Sequence, residues 1–552
     1  MKGLIGSSVG VVYAVVANLP RDICFKKRYT ALLAVVPGPK EPGPDCFHKV
    51  LAPIVDDLLV CERGLEIVVP TIRYPLQVSC RVLFTAADLP AAKKMVGAVS
   101  YAHNKHPCHQ CGITLRQVNE ESGYDWDNLP RYSPTEMVEA AFEHQHASAE
   151  RKAEIESQYG VRYLPLVQLV GFQHSYACPV DPLHNSFLGI GKSLINMLFD
   201  NNLLEGLHFE DSRRDIFTAV FEEANYPGHL GRIPARVTRQ FATDKRGKAG
   251  SALKADQWKR IVQLLPLALF MGFRAEDSDN IPDEDLDKDE QEPPALPIPP
   301  PPPPPRRRGK KRRSDESEQT TNTPRRNRAE WYRLALLVTA SLQVLHAHAI
   351  SVTAAREAVQ DLSIAAVGLL SLGQHLSINW HNSMHYAECV ALYGPLTGFA
   401  TWALERNNGT LSRVNHNGQE RDVPTTLLRS WELEGGLCAM IANPAPDADE
   451  REIRALESLL SAPQYARGTL MMEEMRGVAA DWRIRLPPPL QKGSLVDLNQ
   501  RGAYEPLLEY MQAQYPNYGF VDMGDYLGDR PCLPVRSAGY RLYTHATYNG
   551  FK

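Results

Sequence analysis

The chain has 552 residues, of which 43% are hydrophobic; its formal net charge is −4 and it carries ten cysteines. That length supports two or three domains with a substantial core, and one close cysteine pair among otherwise scattered thiols excludes a disulfide framework and suits a reducing compartment. The near-neutral charge neither requires nor forbids nucleic acid, because positive charge can be local, and no signal peptide or membrane span is expected.

In chain order, Val9 to Ala17 is a dense β-branched run that reads as an interior strand, and Tyr29 to Val36 as a second, closed by a turn at Pro37-Gly-Pro-Lys-Glu-Pro42. Phe47, Val50, Leu51, Ile54, Val55, Leu58 and Leu59 form a helical stripe over Asp45 to Cys61. Leu65 to Val69 and Leu76 to Ala87 are further strand candidates, and the latter runs into Asp88 and a helix started by Pro90. Asp88 would thus sit at a strand's carboxyl end, where α/β sheets keep their ligands, although local sequence alone favours a plain helix N-cap.

Residues 112–160 are polar and helix-rich, and Gly189 to Leu204 reads as an amphipathic helix. Residues 276–328 change character abruptly: an acidic stretch, then Pro299 to Pro305, then Arg306 to Arg313, in which seven of eight residues are Arg or Lys. Such a segment cannot bury enough apolar surface to order itself, and its basic octet reads as a nuclear localisation or phosphate-binding patch. Trp331 to His348 and Thr353 to Leu372 are apolar at helical spacing. Beyond residue 415 a helix over Asp447 to Leu460 and another over Tyr504 to Tyr515 are expected, without assignable chemistry.

Two motifs carry metal chemistry. Cys108 and Cys111 have the two-residue gap that brings both thiolates of one loop to a single Zn²⁺, and His381 and His385 stand at i and i+4 on one helix face. Each pair is half a tetrahedral site, so one structural zinc shared by all four is expected, with His103, His106, His109 and Cys178 as substitutes; the bland alternative is packed thiols and surface imidazoles. Asp181-Pro-Leu-His184 is a further acid and imidazole pair, and Trp402-Ala-Leu-Glu405-Arg-Asn-Asn-Gly409 places a carboxylate on a helix after the His pair.

Taken in order, Asp88-Leu-Pro-Ala-Ala with Cys108-x-x-Cys111, Asp181-Pro-Leu-His184-Asn-x-Phe-Leu-Gly189, and His381-x3-His385 followed by Tyr393-Gly-Pro and Glu405-Arg-Asn-Asn-Gly resemble CACTA-type (En/Spm-like) transposases of the fungal Plavaka-like group, distantly the catalytic subunit of the V(D)J recombinase. The likeness covers roughly residues 8–415 in separate blocks. It implies an α/β, RNase H-like mixed sheet with large helical insertions, its first strand and first catalytic Asp absent from the sequence given; Asp22 lies beyond the Val9 to Ala17 run and does not replace it.

The implied chemistry is DNA strand cleavage and transfer with two Mg²⁺ ions, with Asp88 and Glu405 as catalytic carboxylates, Asp181 and His184 as active-site support, and inactivity if the first acid is truly missing. A Gly-Arg-Ile-Pro block followed by Gln257-Trp258 puts Arg232, Arg236, Arg239, Lys245 and Arg246 in play as DNA contacts. The expected parts are residues 1–111 as the N-terminal core, 112–275 as an insertion, 276–328 as a disordered loop, 329–415 as the helical part bearing the last acid, and 416–552 unassigned. The expected setting is the nucleus, with DNA as partner, a homo-oligomer as a possible assembly, and no membrane. A catalytically inactive DNA-binding or regulatory protein derived from a transposase is the alternative, and a zinc-stabilised interaction protein a third reading.

Overall fold

The computed structural model describes residues 9–38, 42–69, 72–204, 213–224, 253–275, 278–283, 325–416, 422–442 and 449–454, with 233, 237 and 241, and 496–498, 503–514, 520–522, 533–535 and 538–540. The chain divides into two compact units: Met1–Ala17, Ala31–Asn225 and Ile233–Glu432 form the first, and Asn18–Thr30, Tyr226–Arg232 and Leu433–Lys552 the second. It is a mixed α/β protein, mostly helical, with four two-stranded sheets among the described residues. No helix there is long and apolar enough to cross a membrane.

The first unit begins with strand β1 (Gly10–Val15), which pairs with β2 (Thr30–Val36). Helix α2 (Pro44–Arg63) follows, with Pro44 in its first turn and Gly64 closing it at φ +106°, a conformation that suits glycine. Its stripe buries Leu51 and Val55 against Ala92, Val96, Leu164, Leu166 and Phe172. Strands β3 (Leu65–Ile67) and β4 (Leu76–Val78) form a small antiparallel hairpin.

The strand expected over Leu76 to Ala87 is shorter than its sequence pattern: only its first three residues lie in a ladder. The remainder is extended and bonded elsewhere: Thr85 donates its backbone N–H and its hydroxyl to the Ala177 carbonyl, at 2.7 and 3.1 Å. Phe84 packs edge-on to Tyr393 and near Phe399, at ring separations of 5.2 and 6.1 Å. Alternating apolar side chains therefore mark a segment half-buried against loops and rings, which the pattern alone does not distinguish from a paired strand.

Helices α3 (Leu89–Met95), α4 (Pro134–His146) and α5 (Ala149–Tyr159) come next. The amphipathic helix expected over Gly189 to Leu204 starts earlier and in another form: Leu183–Gly191 is a π-helix that passes into α6 (Lys192–Asp200). Helices α7 (Arg213–Glu223), α8 (Ala255–Phe273), α9 (Arg328–Leu345) and α10 (Val352–Ser371) supply the helical bulk. Gly368 lets α9 approach α10 closely, since a Cβ there would stand 2.5 Å from Leu334. After them come α11 (Ile378–Asn382), a 3-10 turn at Ser383–His385, α12 (Tyr386–Tyr393) and α13 (Trp402–Leu411).

Helix α14 (Val423–Ala442) has no counterpart among the expected elements. Val423, Leu427 and Trp431 recur one turn apart along it and pack with Val35 and Leu411, against Val9, Val11, Tyr13 and Leu32 of the β1–β2 ribbon.

In the second unit, α1 (Arg21–Cys24) is a single turn, β5 (Val496–Asp497) pairs antiparallel with β8 (Ala538–Tyr540), and β6 (Phe520–Asp522) runs parallel to β7 (Leu533–Val535). Helix α15 (Tyr504–Gln514) matches the helix expected there; its Tyr504 is buried beside Leu498 and donates its hydroxyl to Asp522 at 2.6 Å.

A candidate metal centre beside a carboxylate cluster

Cys108 and Cys111 lie on a loop after α3, and His381 and His385 at the end of α11 and of the 3-10 turn behind it. All four are buried, and one donor atom from each lies within 4.8 Å of the others. Cys108 Sγ is 3.4 Å from His385 Nε2, and Cys111 Sγ is 3.2 Å from His381 Nε2. Around Zn²⁺ with bonds of about 2.3 Å to sulfur and about 2.0 Å to nitrogen, a tetrahedron has sulfur–nitrogen edges of about 3.5 Å. The donor set and its spacing fit zinc, and four protein ligands leave no open coordination position.

What stands behind the ligands agrees with that fit. The His381 Nδ1 faces the Gly123 carbonyl at 2.7 Å, so this nitrogen carries the proton and Nε2 turns its lone pair to the thiols. Gly123 is held so tightly that a Cβ would stand 2.1 Å from the Gln117 carbonyl oxygen. His385 Nδ1 lies 4.0 Å from Glu388, both of whose oxygens also accept from Arg131 Nη1, at 2.6 and 2.7 Å.

The charges of this pocket respond to one another. The Cys108 thiol is held well below its usual range: burial pushes it up, but Cys111, His385 and His381 outweigh burial. Burial and the neighbouring Cys108 push Cys111 well up. Buried Lys93, whose Nζ donates to the His106 carbonyl at 3.2 Å, is lowered to about 8 because burial outweighs the two sulfurs.

The four substitute ligands named from the sequence lie outside the cluster. His109 Nε2 donates to the Cys178 carbonyl at 2.9 Å. His106 meets Tyr132 at 3.1 Å and stacks on His103, and Cys178 is buried beside Thr85.

The second feature is a set of acids around His184. Asp181, its side chain 2% exposed, accepts from the Thr401 N–H and hydroxyl, both at 2.9 Å, and from the His184 N–H at 3.1 Å. The His184 Nδ1 meets Asp181 Oδ2 at 2.5 Å, and its Nε2 lies 3.8 Å from Glu405 Oε1. Burial lowers the His184 pKa, yet the net shift is upward because the Asp181 hydrogen bond and charge, then Glu405 and Asp88, favour the imidazolium. Asp88 and Glu405, far apart in sequence, thus both act on one imidazole.

Asp88 caps α3, its Oδ1 accepting from the Ala91 N–H at 2.9 Å, so the N-cap geometry that local sequence favours is present. Glu405 stands in the first turn of α13, half-exposed. The bonds from Thr85 to Ala177, and Phe84 against Tyr393 and Phe399, draw the chain before Asp88, the chain before Asp181 and the chain before Thr401 to one place.

Sequence reasoning missed Thr401, Tyr13 and Asn408. Thr401 precedes an apolar helix and could be read as its N-cap, but its bond to Asp181 spans 220 residues. The Tyr13 hydroxyl donates to Asn408 at 3.2 Å, and burial, then Glu405, raises its pKa.

Arg232, Arg236, Arg239, Lys245 and Arg246 lie outside the described residues, as does the segment 284–324 with its polyproline and basic runs. Trp258, named with them, is buried. Trp402 is half-buried, its ring 6.2 Å from Phe187. No curated protein matches the chain. Residues 5–127, the stretch that carries β1, β2, Asp88 and both metal-facing cysteines, match the family described as Transposase family tnp2, and it is to this family that the chain is similar.

Proposed function

We propose that the chain is the catalytic body of a DNA transposase of the CACTA-like class, in which Asp88 and Glu405 are metal-binding carboxylates for DNA strand cleavage and joining. The observation that carries this is the His184 ring, whose Nε2 lies 3.8 Å from Glu405 Oε1 and whose charged form Glu405 and, more weakly, Asp88 favour, on segments that the Cys108, Cys111, His381 and His385 cluster ties together. The match of residues 5–127 to a transposase family supports it independently. The succession β1, β2, α2, β3, β4 that precedes Asp88 supports this reading as an order that an RNase H-like core could use.

Two carboxylates offer hard oxygen donors of the kind Mg²⁺ takes. Bound there, Mg²⁺ would supply the charge that activates an attacking oxygen and steadies the leaving one. The chain's own residues do the rest. Asp88 is fixed by its cap to α3, Glu405 by the start of α13, and the His184 ring, held by Asp181, stands with its Nε2 3.8 Å from Glu405. Zinc held by Cys108, Cys111, His381 and His385 would have the separate task of joining the cysteine loop to α11. The basic segments outside the described residues are the proposed DNA contacts and nuclear address.

The test is nicking of supercoiled plasmid by the full chain with Mg²⁺ or Mn²⁺. Against the inactivity that a missing first acid would imply, wild type should nick on these two carboxylates, and Asp88→Asn and Glu405→Gln should each lose activity by about 100-fold or more with zinc content unchanged. Nicking that survives both substitutions, or none by the wild type, overturns the reading.

A further inference from the structure

The start of α13 departs from the usual way of closing a helix. Thr401 is its N-cap, and a threonine in that position ordinarily turns its hydroxyl onto the exposed N–H groups of the helix it opens. Here no such bond forms. Both polar groups of Thr401, the hydroxyl and the backbone N–H, go to Asp181 instead, each at 2.9 Å.

Asp181 spends its remaining acceptor capacity on the π-helix Leu183–Gly191: the N–H groups of Leu183 and His184 reach it at 3.4 and 3.1 Å. One buried carboxylate therefore caps one helix and holds the first residue of another. Its third partner, the His184 ring, stands between it and Glu405. Glu405 is one turn into α13, and its own N–H returns to the Thr401 carbonyl at 2.9 Å.

We infer that Asp181 and Thr401 are positioning residues that set where the Glu405 carboxylate stands, and that His184 is the side chain through which Asp181 reaches it. This deepens the proposed function, on which it rests: the acid and imidazole pair becomes the device that fixes a metal-binding carboxylate. A carboxylate held by a half-exposed side chain alone would sample several rotamers, and anchoring its helix at the first residue narrows them. The π-helix Leu183–Gly191 agrees, since such segments are rare and frequent at functional sites.

The experiment uses the full chain and Mn²⁺ as the probe, with free Mn²⁺ read by electron paramagnetic resonance and plasmid nicking measured alongside. Thr401→Val keeps the N–H and removes the hydroxyl, and Asp181→Asn removes the charge but keeps an acceptor. Each should weaken Mn²⁺ binding about tenfold and raise the Mg²⁺ needed for half-maximal nicking, with zinc content unchanged. Thr401→Ser keeps both donors and should bind Mn²⁺ within about twofold of wild type, as the loss of one methyl leaves the bonds intact.

His184→Gln should resemble Asp181→Asn. Thr401→Val that binds Mn²⁺ as wild type does, or Thr401→Ser that fails as Thr401→Val does, overturns the inference. If the wild type binds Mn²⁺ in the expected Thr401-dependent way but nicks no DNA, the positioning stands and the transposase reading falls. A wild type that binds no Mn²⁺ overturns both.

Discussion

The two imidazoles of the metal cluster are held from behind by unlike groups, and this sets how each responds to substitution. His381 gives its Nδ1 proton to a backbone carbonyl that no side-chain change removes, whereas His385 has Glu388, which is shared with Arg131. Glu388→Gln should therefore lower zinc affinity about tenfold, and Arg131→Ala less, in competition with a chromophoric chelator. Cys111→Ser should release the ion outright. His184 gives a different signature. Its folded pKa lies above its unfolded value, so its stabilising contribution is complete below the unfolded value of about 6.5 and is lost as pH rises through the raised one. The stability gap between wild type and His184→Gln should be widest in mild acid and narrow toward alkaline pH in denaturant titrations; a gap that widens with pH would show the imidazole held neutral. At this scale the ligands were legible because each pair is local: the two-residue and three-residue gaps encode loop and helix geometry. Thr401 was not, because its partner is set by the fold and no spacing announces it.

Among elements, the crossing of α11 over the π-helix is what brings the metal ligands alongside His184. It depends on Gly189, where a Cβ would stand 2.8 Å from the Asn379 side chain. Gly189→Ala should destabilise the protein by about 1–3 kcal/mol through that overlap, visible as a lowered denaturation midpoint. If Asn379 yields without cost, Asn379→Ala in the same background should change nothing; if the overlap is the cause, it should restore part of the loss. The Asp-Pro-Leu-His-Asn-x-Phe-Leu-Gly run was legible as a motif, yet neither its π form nor its glycine contact was, since both follow from what packs against it. The stripe Val423, Leu427 and Trp431 shows the converse: its period is plain in the sequence, but that it covers the β1–β2 ribbon is a tertiary fact. Similarly, Leu76 to Ala87 has a strand's alternation, yet Leu76 and Val78 are exposed on the β3–β4 hairpin and Phe84 is held by Tyr393 and Phe399, so alternation alone does not report a continuous paired strand.

For the molecule as a whole, acid is the condition to which the first unit should be most sensitive. His174 and His346 are buried with neither ring nitrogen hydrogen-bonded among the described residues, and burial lowers them to about 4 and about 3. Above the unfolded pKa of about 6.5 both states hold these rings neutral, and they contribute no pH dependence. As pH falls below that value the unfolded chain takes up protons that the folded one refuses. Each histidine then withdraws about 1.4 kcal/mol of stability per pH unit until its folded pKa is reached. Protonation of the metal ligands acts in the same direction, so the wild-type profile alone cannot separate the two. His346→Leu can: the ring packs 4.5 Å from Phe187, and leucine fills a similar space without a titrating group. Measured at fixed zinc concentration, the variant should lose stability less steeply than wild type between about pH 6.5 and 4, with the metal-dependent part common to both. Equal slopes would mean that His346 is charged or solvated in the folded state, and the acid sensitivity would then belong to the metal ligands and His174.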